Sequence, residues 1–338
     1  MTIDAVATEL PWHADALGRE LANLERLPHA MLLHGPAGTG TGRFAAALAA
    51  ALLCESPAPD GRACGRCGAC GWVSAGTHPD LRLLSLLVDD DGKVARELKI
   101  EQVRALADFL VVGGHRGGRR VVLIDPADAL NTVTANALLK TLEEPGDGLV
   151  FLLVSARPDA LPATIRSRCQ ARALCAPVPA VASAWVQAQT GCTAPDAASW
   201  LAMSGGAPLD ALAFAEPAQA TAYRTLLDTL ASLPDASPEH AADALQRVDA
   251  RLWLPVLQRW LVDIARCVAG GEPRYFQARA PRLAELARRT DPGSVALAGR
   301  GLAAQRRLIE HPLNARLYCE ASLDCYLATF RGPAVAPG

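Results

Sequence analysis

The sequence has few aromatic residues, almost no net charge and no long hydrophobic run. Aromatic residues make up 5% of the 338 residues, and 33 basic residues face 35 acidic ones, for a formal net charge of −2. A free-standing nucleic-acid binder usually carries a basic excess, so we expect any contact with DNA or RNA to occur within an assembly. The most apolar stretch, Phe44–Cys54, is shorter than the about 20 residues of a membrane-spanning helix. Because the N-terminus also lacks the basic region of a secretory signal, we expect a soluble, cytoplasmic protein.

The sequence does contain ample apolar surface, since 51% of its residues are hydrophobic and 20% are charged. This composition excludes disorder of the whole chain. The first half alternates short apolar strands with helices, which predicts βαβ units and a parallel sheet covered by helices on both faces. The predicted strands are Met31–Gly35, Arg120–Ile124, Leu149–Val154 and Ala171–Ala176, and the predicted helices are Arg43–Leu53, Ile100–Leu110 and Thr134–Leu142.

The composition changes in the second half. After Pro177 and Pro179 the chain consists of helix-forming segments separated by proline and glycine. We expect four parts, namely an α/β domain at 1–177, a small helical domain at 178–216, a helical C-terminal domain at 217–331 and a flexible tail at 332–338.

A glycine-rich segment follows the first predicted strand and precedes a helix, which is the position of a Walker A phosphate loop. Gly35 and Gly40 have the glycine spacing of that loop, and Gly38 lies between them. Thr41 stands where a lysine would neutralise phosphate charge, and Gly42 stands where a Ser/Thr would hold Mg²⁺. The segment is therefore either an inherited nucleotide fold that has lost its ligand or a glycine turn that never had one.

The strand Arg120–Ile124 ends at Asp125, as a Walker B strand ends at the acid that holds Mg²⁺. In an ATPase an adjacent glutamate would polarise the attacking water, but here the next residue is Pro126, which cannot act as a base. Two changes in the two halves of one site argue against hydrolysis, and we expect no productive ATP binding. The candidate nucleotide-contacting residues are Gly35, Gly38, Gly40, Thr41 and Asp125.

Four clustered cysteines, Cys54, Cys64, Cys67 and Cys70, have the spacing C-x9-C-x2-C-x2-C. Two thiolates in a Cys-x2-Cys pair can grip one tetrahedral Zn²⁺, and four thiolates close its coordination shell. We expect one structural zinc ion per chain in a module at 54–70, without a catalytic role because no coordination position stays open. The alternatives are redox-active cysteines or disulfides.

Six sequence motifs together carry a family resemblance. They are His34–Gly40, the four cysteines, Thr77–Asp80, Ile100–Arg104, Asn136–Pro145 and Arg166–Cys169. With these motifs the chain resembles the clamp-loader branch of the AAA+ ATPases, and within it the delta-prime family of bacterial DNA polymerase III, over roughly residues 10–330. The resemblance implies a RecA-like parallel sheet flanked by helices, an inserted four-cysteine zinc module, a helical lid and an all-α collar domain.

The resemblance also implies a role for Arg168 in the segment Ser167-Arg168-Cys169. In this family that arginine is a finger, reaching across a subunit interface to the γ-phosphate of ATP on a neighbouring subunit. A guanidinium is planar, permanently charged and bidentate, which suits it to phosphoryl charge. Without the family, the same residue would be interpreted as an ordinary surface arginine.

The implied function is that of a non-motor, stator-like subunit that helps to load a sliding clamp onto primer-template DNA during replication. Its expected partners are gamma/tau-like ATPase subunits and a delta-like subunit in a hetero-oligomeric ring. We expect no intrinsic enzyme activity, although the complex serves a DNA-directed DNA polymerase. Two alternatives remain, an active gamma/tau-like ATPase motor and a zinc-based DNA-binding or redox module.

Four further residues have weaker interpretations. Ser155 matches a sensor-1 position that would hydrogen-bond a γ-phosphate, but without nucleotide we expect it to be structural. Lys140, Glu143 and Glu144 are interpreted as a helical surface or partner-contact patch rather than as catalytic groups.

Overall fold

The computed structural model describes residues 10–89, 94–106, 109–110, 118–309 and 314–331 of the chain. The chain divides into two compact units, Met1–Val181 and Ala182–Gly338. Ala107 of the helix predicted over 100–110 and the predicted tail 332–338 lie outside the described residues. Among the helices that are described, none combines the length and apolar character that crossing a bilayer requires.

The first unit is built on a parallel sheet whose strands lie in the order β2-β3-β4-β1-β5. The strands are β1 (Ala30–His34), β2 (Leu81–Leu84), β3 (Arg120–Ile124), β4 (Leu149–Ser155) and β5 (Gln170–Ala173). The helices described in this unit are α1 (Ala14–Leu21), α2 (Thr41–Leu53), α3 (Gly68–Ala75), α4 (Ile100–Arg104), α5 (Thr132–Glu143) and α6 (Ala163–Arg166).

Both faces of the sheet are buried at its central strands β1, β3 and β4, because successive side chains of a strand point to opposite faces and both sets are mostly apolar there. In β4, Val150 and Leu152 pack with Leu48 of α2 on one face. Phe151 of β4 packs with Leu138 of α5 on the other. The sheet therefore lies between two helical layers, and the predicted α/β architecture is confirmed.

The sheet brings the segments that follow β1, β3 and β4 to one edge. His34 at the end of β1 is paired in register with Ser155 at the end of β4, and Ile124 of β3 is paired with Leu153. In open α/β sheets, ligands bind outside the carboxyl ends of the strands. The glycine-rich segment and Asp125 emerge at this edge beside Ser155.

Two details of the first unit differ from the sequence-based expectation. The strand Leu81–Leu84 was not predicted, because it is short and its Arg82 is exposed. Within the predicted helix Ile100–Leu110, α4 ends at Arg104, and Phe109 and Leu110 are again helical. The carbonyl of Phe109 also accepts a hydrogen bond of 2.6 Å from the buried guanidinium of Arg120.

From Pro179 onward the described elements are helical, as expected. The α-helices are α7 (Pro179–Thr190), α8 (Ala194–Met203), α9 (Pro208–Ala211), α10 (Pro217–Ser232), α11 (Pro238–Leu245), α12 (Ala250–Val268), α13 (Ala280–Ala287), α14 (Pro292–Leu308) and α15 (Ala315–Leu327). Several of them begin with proline, whose fixed φ suits the first helical position and whose missing N–H is not needed there. Prolines thus both separate and start the helices.

The second unit contains two separate apolar clusters. A small one joins α7, α8 and α9 through residues such as Val186 and Ala211. A larger one joins α10 to α15 and includes the fully buried Trp260, whose indole donates a hydrogen bond of 3.0 Å to the hydroxyl of Tyr326.

A buried carboxylate holds the loop after α12 in place. Asp263 is fully buried, and its Oδ1 accepts the backbone N–H of Arg274 at 2.7 Å. Its Oδ2 accepts the N–H groups of Tyr275 at 2.9 Å and Phe276 at 2.8 Å. An ionised carboxylate only accepts hydrogen bonds, so both of its oxygens can pair with these backbone N–H groups. Asparagine, its neutral isostere, has only one accepting oxygen.

We expect Asp263→Asn to lower the thermal unfolding midpoint by about 5–10 °C, because the amide NH₂ would face backbone donors and leave buried groups unpaired. The control is Asp324→Asn, since Asp324 forms an exposed ion pair with Arg331 and such pairs contribute about 0–1 kcal/mol. Calorimetry of both variants checks this, and equal midpoints would contradict the anchoring role of Asp263.

Candidate functional site

The glycine-rich segment forms a strand–loop–helix turn between β1 and α2. Gly38 and Gly40 adopt φ values of 70° and 90°, a region that glycine enters without steric cost. The loop is held from outside by the indole of Trp12, which donates to the carbonyl of Thr39 at 2.8 Å. It is held from inside by the hydroxyl of Thr39, which donates to the carbonyl of Pro36 at 2.6 Å. Neither contact depends on a ligand.

Thr41 is the first residue of α2 and occupies the place of the missing lysine. Its side chain is buried, and its Oγ1 has no hydrogen-bond partner among the described residues. A Cβ added at Gly35 would lie 2.9 Å from that oxygen, so the hydroxyl faces back toward the start of the loop. Thr41 brings neither the reach nor the positive charge that a Walker A lysine would supply.

The space beside Gly42 is filled by the carboxylate of Asp125. A Cβ added at Gly42 would lie 2.2 Å from Oδ2 of Asp125, which is shorter than any real contact of a Cβ. A Walker A serine or threonine at this position would therefore collide with the acid with which it should share Mg²⁺. Burial raises the pKa of Asp125 to about 6, and the nearby charge of Asp128 adds to the shift.

Ser155, at the predicted sensor-1 position, takes part in a network within the chain. Its hydroxyl donates to Oδ1 of Asp128 at 2.9 Å. The backbone N–H of Arg157 donates to Ser155 Oγ at 3.0 Å, and the Arg157 guanidinium donates from Nε to Asp128 Oδ2 at 2.9 Å. The Ser155 hydroxyl, which at a sensor-1 position would contact a γ-phosphate, therefore donates to an acidic residue of its own chain.

The structure brings the four predicted cysteines together. Cys54 follows the last residue of α2, Cys64 lies in the connecting loop, Cys67 caps the N-terminus of α3 and Cys70 lies in its first turn. Their sulfur atoms all lie within 4.8 Å of one another. Gly65 adopts a φ of 72°, which lets the loop turn tightly between two ligands.

The spacing of the sulfur atoms fits a tetrahedral metal site. A Zn–S bond of about 2.3 Å places tetrahedral sulfurs about 3.8 Å apart. The Sγ atoms of Cys54 and Cys70 are 3.7 Å apart, those of Cys54 and Cys67 are 3.9 Å apart, and those of Cys64 and Cys70 are 4.0 Å apart. Disulfide sulfurs lie about 2.05 Å apart, so these distances favour a shared cation over disulfides.

Backbone donors point at the cysteine cluster as well. The N–H of Cys64 donates to the sulfur of Cys54 at 3.3 Å, and the N–H of Cys70 donates to the sulfur of Cys67 at 3.4 Å. A backbone hydrogen bond from Arg66 lowers the pKa of Cys64 to about 6, whereas burial raises the pKa of Cys70 to about 12. Four thiolates this close repel one another, so a bound cation is what would stabilise them together.

Arg168 lies between α6 and the edge strand β5. Its Nε donates to Oε1 of Glu143 at 2.8 Å, Nη2 reaches the same oxygen, and Nη1 donates to the carbonyl of Thr164 at 2.8 Å. About a third of its side chain is exposed. The neighbouring Arg166 instead pairs with Asp159.

Sequence reasoning missed the partners of these residues. The sequence placed Glu143 in a surface patch, yet it holds the predicted finger. Nothing in the sequence signalled the pairing of Asp128 with Ser155, and nothing signalled that Trp12 supports the phosphate loop. These contacts join residues 25–27 positions apart in the sequence, so no local pattern encodes them.

Comparison with known proteins identifies relatives of this chain. The family model described as "DNA polymerase III, delta subunit" matches residues 13–177. DNA polymerase III subunit delta' of Pseudomonas aeruginosa is 43% identical over 202 residues, which span 60% of each chain. Subunit delta' of Escherichia coli is 34% identical over 253 residues, covering 73% of this chain and 74% of that protein. Subunit tau of Escherichia coli is 38% identical over 164 residues, covering 46% of this chain and 24% of that protein.

We expect Gly42→Ala to destabilise the chain by about 1–2 kcal/mol, because the new methyl group forces the Asp125 carboxylate to move. Gly18→Ala in α1 is the matched control, since a Cβ there meets nothing within 4 Å; it should stabilise by about 0.5–1 kcal/mol. Urea unfolding measures both changes.

The same Gly42→Ala change in an Asp125→Ala background should cost less, because the colliding group is gone. A double-mutant cycle reports this coupling. An equal cost in both backgrounds would show that Asp125 does not limit the side chain at position 42.

Proposed function

The chain belongs to the DNA polymerase III delta' family, and we propose that it serves a clamp-loader complex as a stator rather than as an ATPase motor. One observation carries this proposal. The Asp125 carboxylate occupies the space that a Mg²⁺-binding side chain at position 42 would need, beside a loop whose lysine position is Thr41. A loop that lacks its lysine, and whose Ser/Thr position has no room for a side chain beside a carboxylate, is poorly suited to hold Mg·ATP.

In the proposed assembly this chain contributes Arg168 to an ATP site on an adjacent subunit. The guanidinium is partly exposed and lies next to the edge strand of the sheet, where a neighbouring subunit can reach it. The neighbours are gamma/tau-like ATPase subunits and a delta-like subunit. Through the complex the chain acts on a sliding clamp and primer-template DNA, in the bacterial cytoplasm at the replisome.

We further propose that the second unit supplies a lid and a collar. The small cluster that contains Val186 and Ala211 supports a lid domain at 178–216, and the larger cluster around Trp260 supports a separate collar domain at 217–331. The exposed apolar side chains of the proposed collar domain include Leu252, Leu297 and Leu317. Such residues fit an interface between subunits.

The cysteine cluster is proposed to hold one structural Zn²⁺ ion. The sulfur spacings of 3.7–4.0 Å and the backbone N–H groups that point at them support this assignment. Bound Zn²⁺ would tie the end of α2 to the start of α3 and keep all four sulfurs ionised. Four ligands leave no open position, so the ion would stabilise the fold without taking part in chemistry.

The second candidate function is an active gamma/tau-like motor, which the 38% identity to subunit tau over 164 residues favours. The two functions differ in nucleotide affinity. Calorimetric titration of Mg·ATP into the isolated chain should detect no binding in the micromolar range, and turnover by the isolated chain would establish the motor instead. Thr41→Lys alone should not create a hydrolase, because Pro126 supplies no base.

We expect Arg168→Ala to reduce ATP hydrolysis at the adjacent site by at least about tenfold while the complex still assembles, since finger arginines contribute large rate factors. Arg166→Ala is the control, because Arg166 belongs to the same segment but pairs with Asp159, and we expect its rate within about twofold of the parent. The assay uses a reconstituted complex in which the other ATP sites are inactivated. An unchanged rate for Arg168→Ala would exclude the finger.

Metal analysis of natively purified protein should find about one zinc ion per chain. Cys67→Ser should lose the metal and lower the unfolding midpoint, whereas Cys175→Ser, which changes an exposed cysteine outside the cluster, should leave both unchanged. A parent protein without metal, or with iron in place of zinc, would contradict the assignment.

A further inference from the structure

We propose that Glu143 is a positioning residue for Arg168 and presents its guanidinium to the ATP site of the adjacent subunit. The inference rests on the proposed function, because it concerns how the arginine finger is held. The residue that does this is the last residue of α5, in the segment Leu142-Glu143-Glu144-Pro145.

Two elements hold the guanidinium along different sides. Glu143 of α5 accepts from Nε at 2.8 Å and from Nη2, both through its Oε1. Thr164 of α6 accepts from Nη1 through its backbone carbonyl at 2.8 Å. A hydroxyl, Ser167 Oγ, lies 3.4 Å from the same Nη1. These contacts fix the plane of the guanidinium as well as its position, because Nε and both terminal nitrogens are engaged.

The contacts leave donors for a phosphate. A guanidinium has five N–H groups in a fixed fork. Glu143 takes one from Nε and one from Nη2, and Thr164 takes one from Nη1. Nη2 keeps one N–H, and the second N–H of Nη1 has only the long contact of 3.4 Å with Ser167 Oγ, which a phosphate oxygen would replace. Two N–H groups on Nη1 and Nη2 are the pair that a phosphate can accept in bidentate fashion.

Stability alone does not account for this pair. The side chains of Arg168 and Glu143 are 31% and 50% exposed, and ion pairs this open to water contribute little to folding. Their effect should instead concern geometry, because a free arginine side chain samples many rotamers. Glu143 removes that freedom before the neighbour's ATP arrives, and a small misplacement of a catalytic group is costly in rate.

The test uses the reconstituted complex with hydrolysis confined to the site that Arg168 completes. Glu143→Ala should lower kcat at that site about 5- to 100-fold with KM within about twofold of the parent, because ATP is bound by the neighbour. Glu143→Gln should recover part of the rate, since its amide oxygen can still accept from Nε. Asp159→Asn, which changes the acid that pairs with the neighbouring Arg166, should leave kcat within about twofold.

The double variant Glu143→Ala/Arg168→Ala separates positioning from an independent role. If Glu143 acts through Arg168, removing it in the Arg168→Ala background changes kcat no further. A further fall in that background would overturn the proposal, and so would an unchanged or increased kcat for Glu143→Ala alone. Unfolding midpoints and size-exclusion profiles of each variant confirm that folding and assembly are intact.

The outcome for Arg168→Ala distinguishes the finger role of Arg168 from the positioning role of Glu143. If Arg168→Ala lowers kcat but Glu143→Ala does not, the finger stands and the positioning role is wrong. If Arg168→Ala leaves kcat unchanged, the proposed finger itself fails, and the positioning role fails with it.

Discussion

The structure of the first unit depends on how one small volume at the carboxyl edge of the sheet is occupied. Asp125 at the end of β3 and Gly42 in the first turn of α2 approach so closely that a Cβ at position 42 would lie 2.2 Å from the carboxylate. In a motor subunit the same volume would be shared by a hydroxyl, a carboxylate and Mg²⁺. Here the carboxylate fills it alone, and burial raises its pKa to about 6. Under the proposed function, the fold of a nucleotide site is retained while packing takes the place of its chemistry.

Other groups at the carboxyl edge of the sheet are also held by contacts within the chain. The phosphate loop is tied by Trp12 and by the hydroxyl of Thr39, and Ser155 is tied to Asp128. The first two contacts satisfy carbonyl groups of the loop, and the third engages the hydroxyl that a sensor-1 serine would offer to a γ-phosphate. Arg168, the proposed finger, lies outside this network and is partly exposed.

Local sequence patterns predicted strands and the cysteine cluster. They could not predict contacts between residues that are far apart in the sequence. The strands β3 and β4 were predictable because continuous Val, Leu and Ile runs are typical of strands buried on both faces. The strand Leu81–Leu84 was not, since an exposed Arg82 interrupts a short run. Motif spacing predicted the four cysteines as one cluster, and the structure brings them together. The collision at Gly42 and the partner of Arg168 depend on residues 83 and 25 positions away, which only the fold brings close.

Ser155 and Arg168 belong to one crossover that leaves the sheet at β4 and returns at β5. In a subunit that binds and releases nucleotide, the inner end of such a crossover would change its contacts with every turnover. In this chain the Ser155 hydroxyl at the inner end donates to Asp128 of the same chain, a contact that requires no nucleotide. Under the proposed function, the distance between Arg168 and the neighbour's ATP would then be set by the movement of the neighbouring subunit.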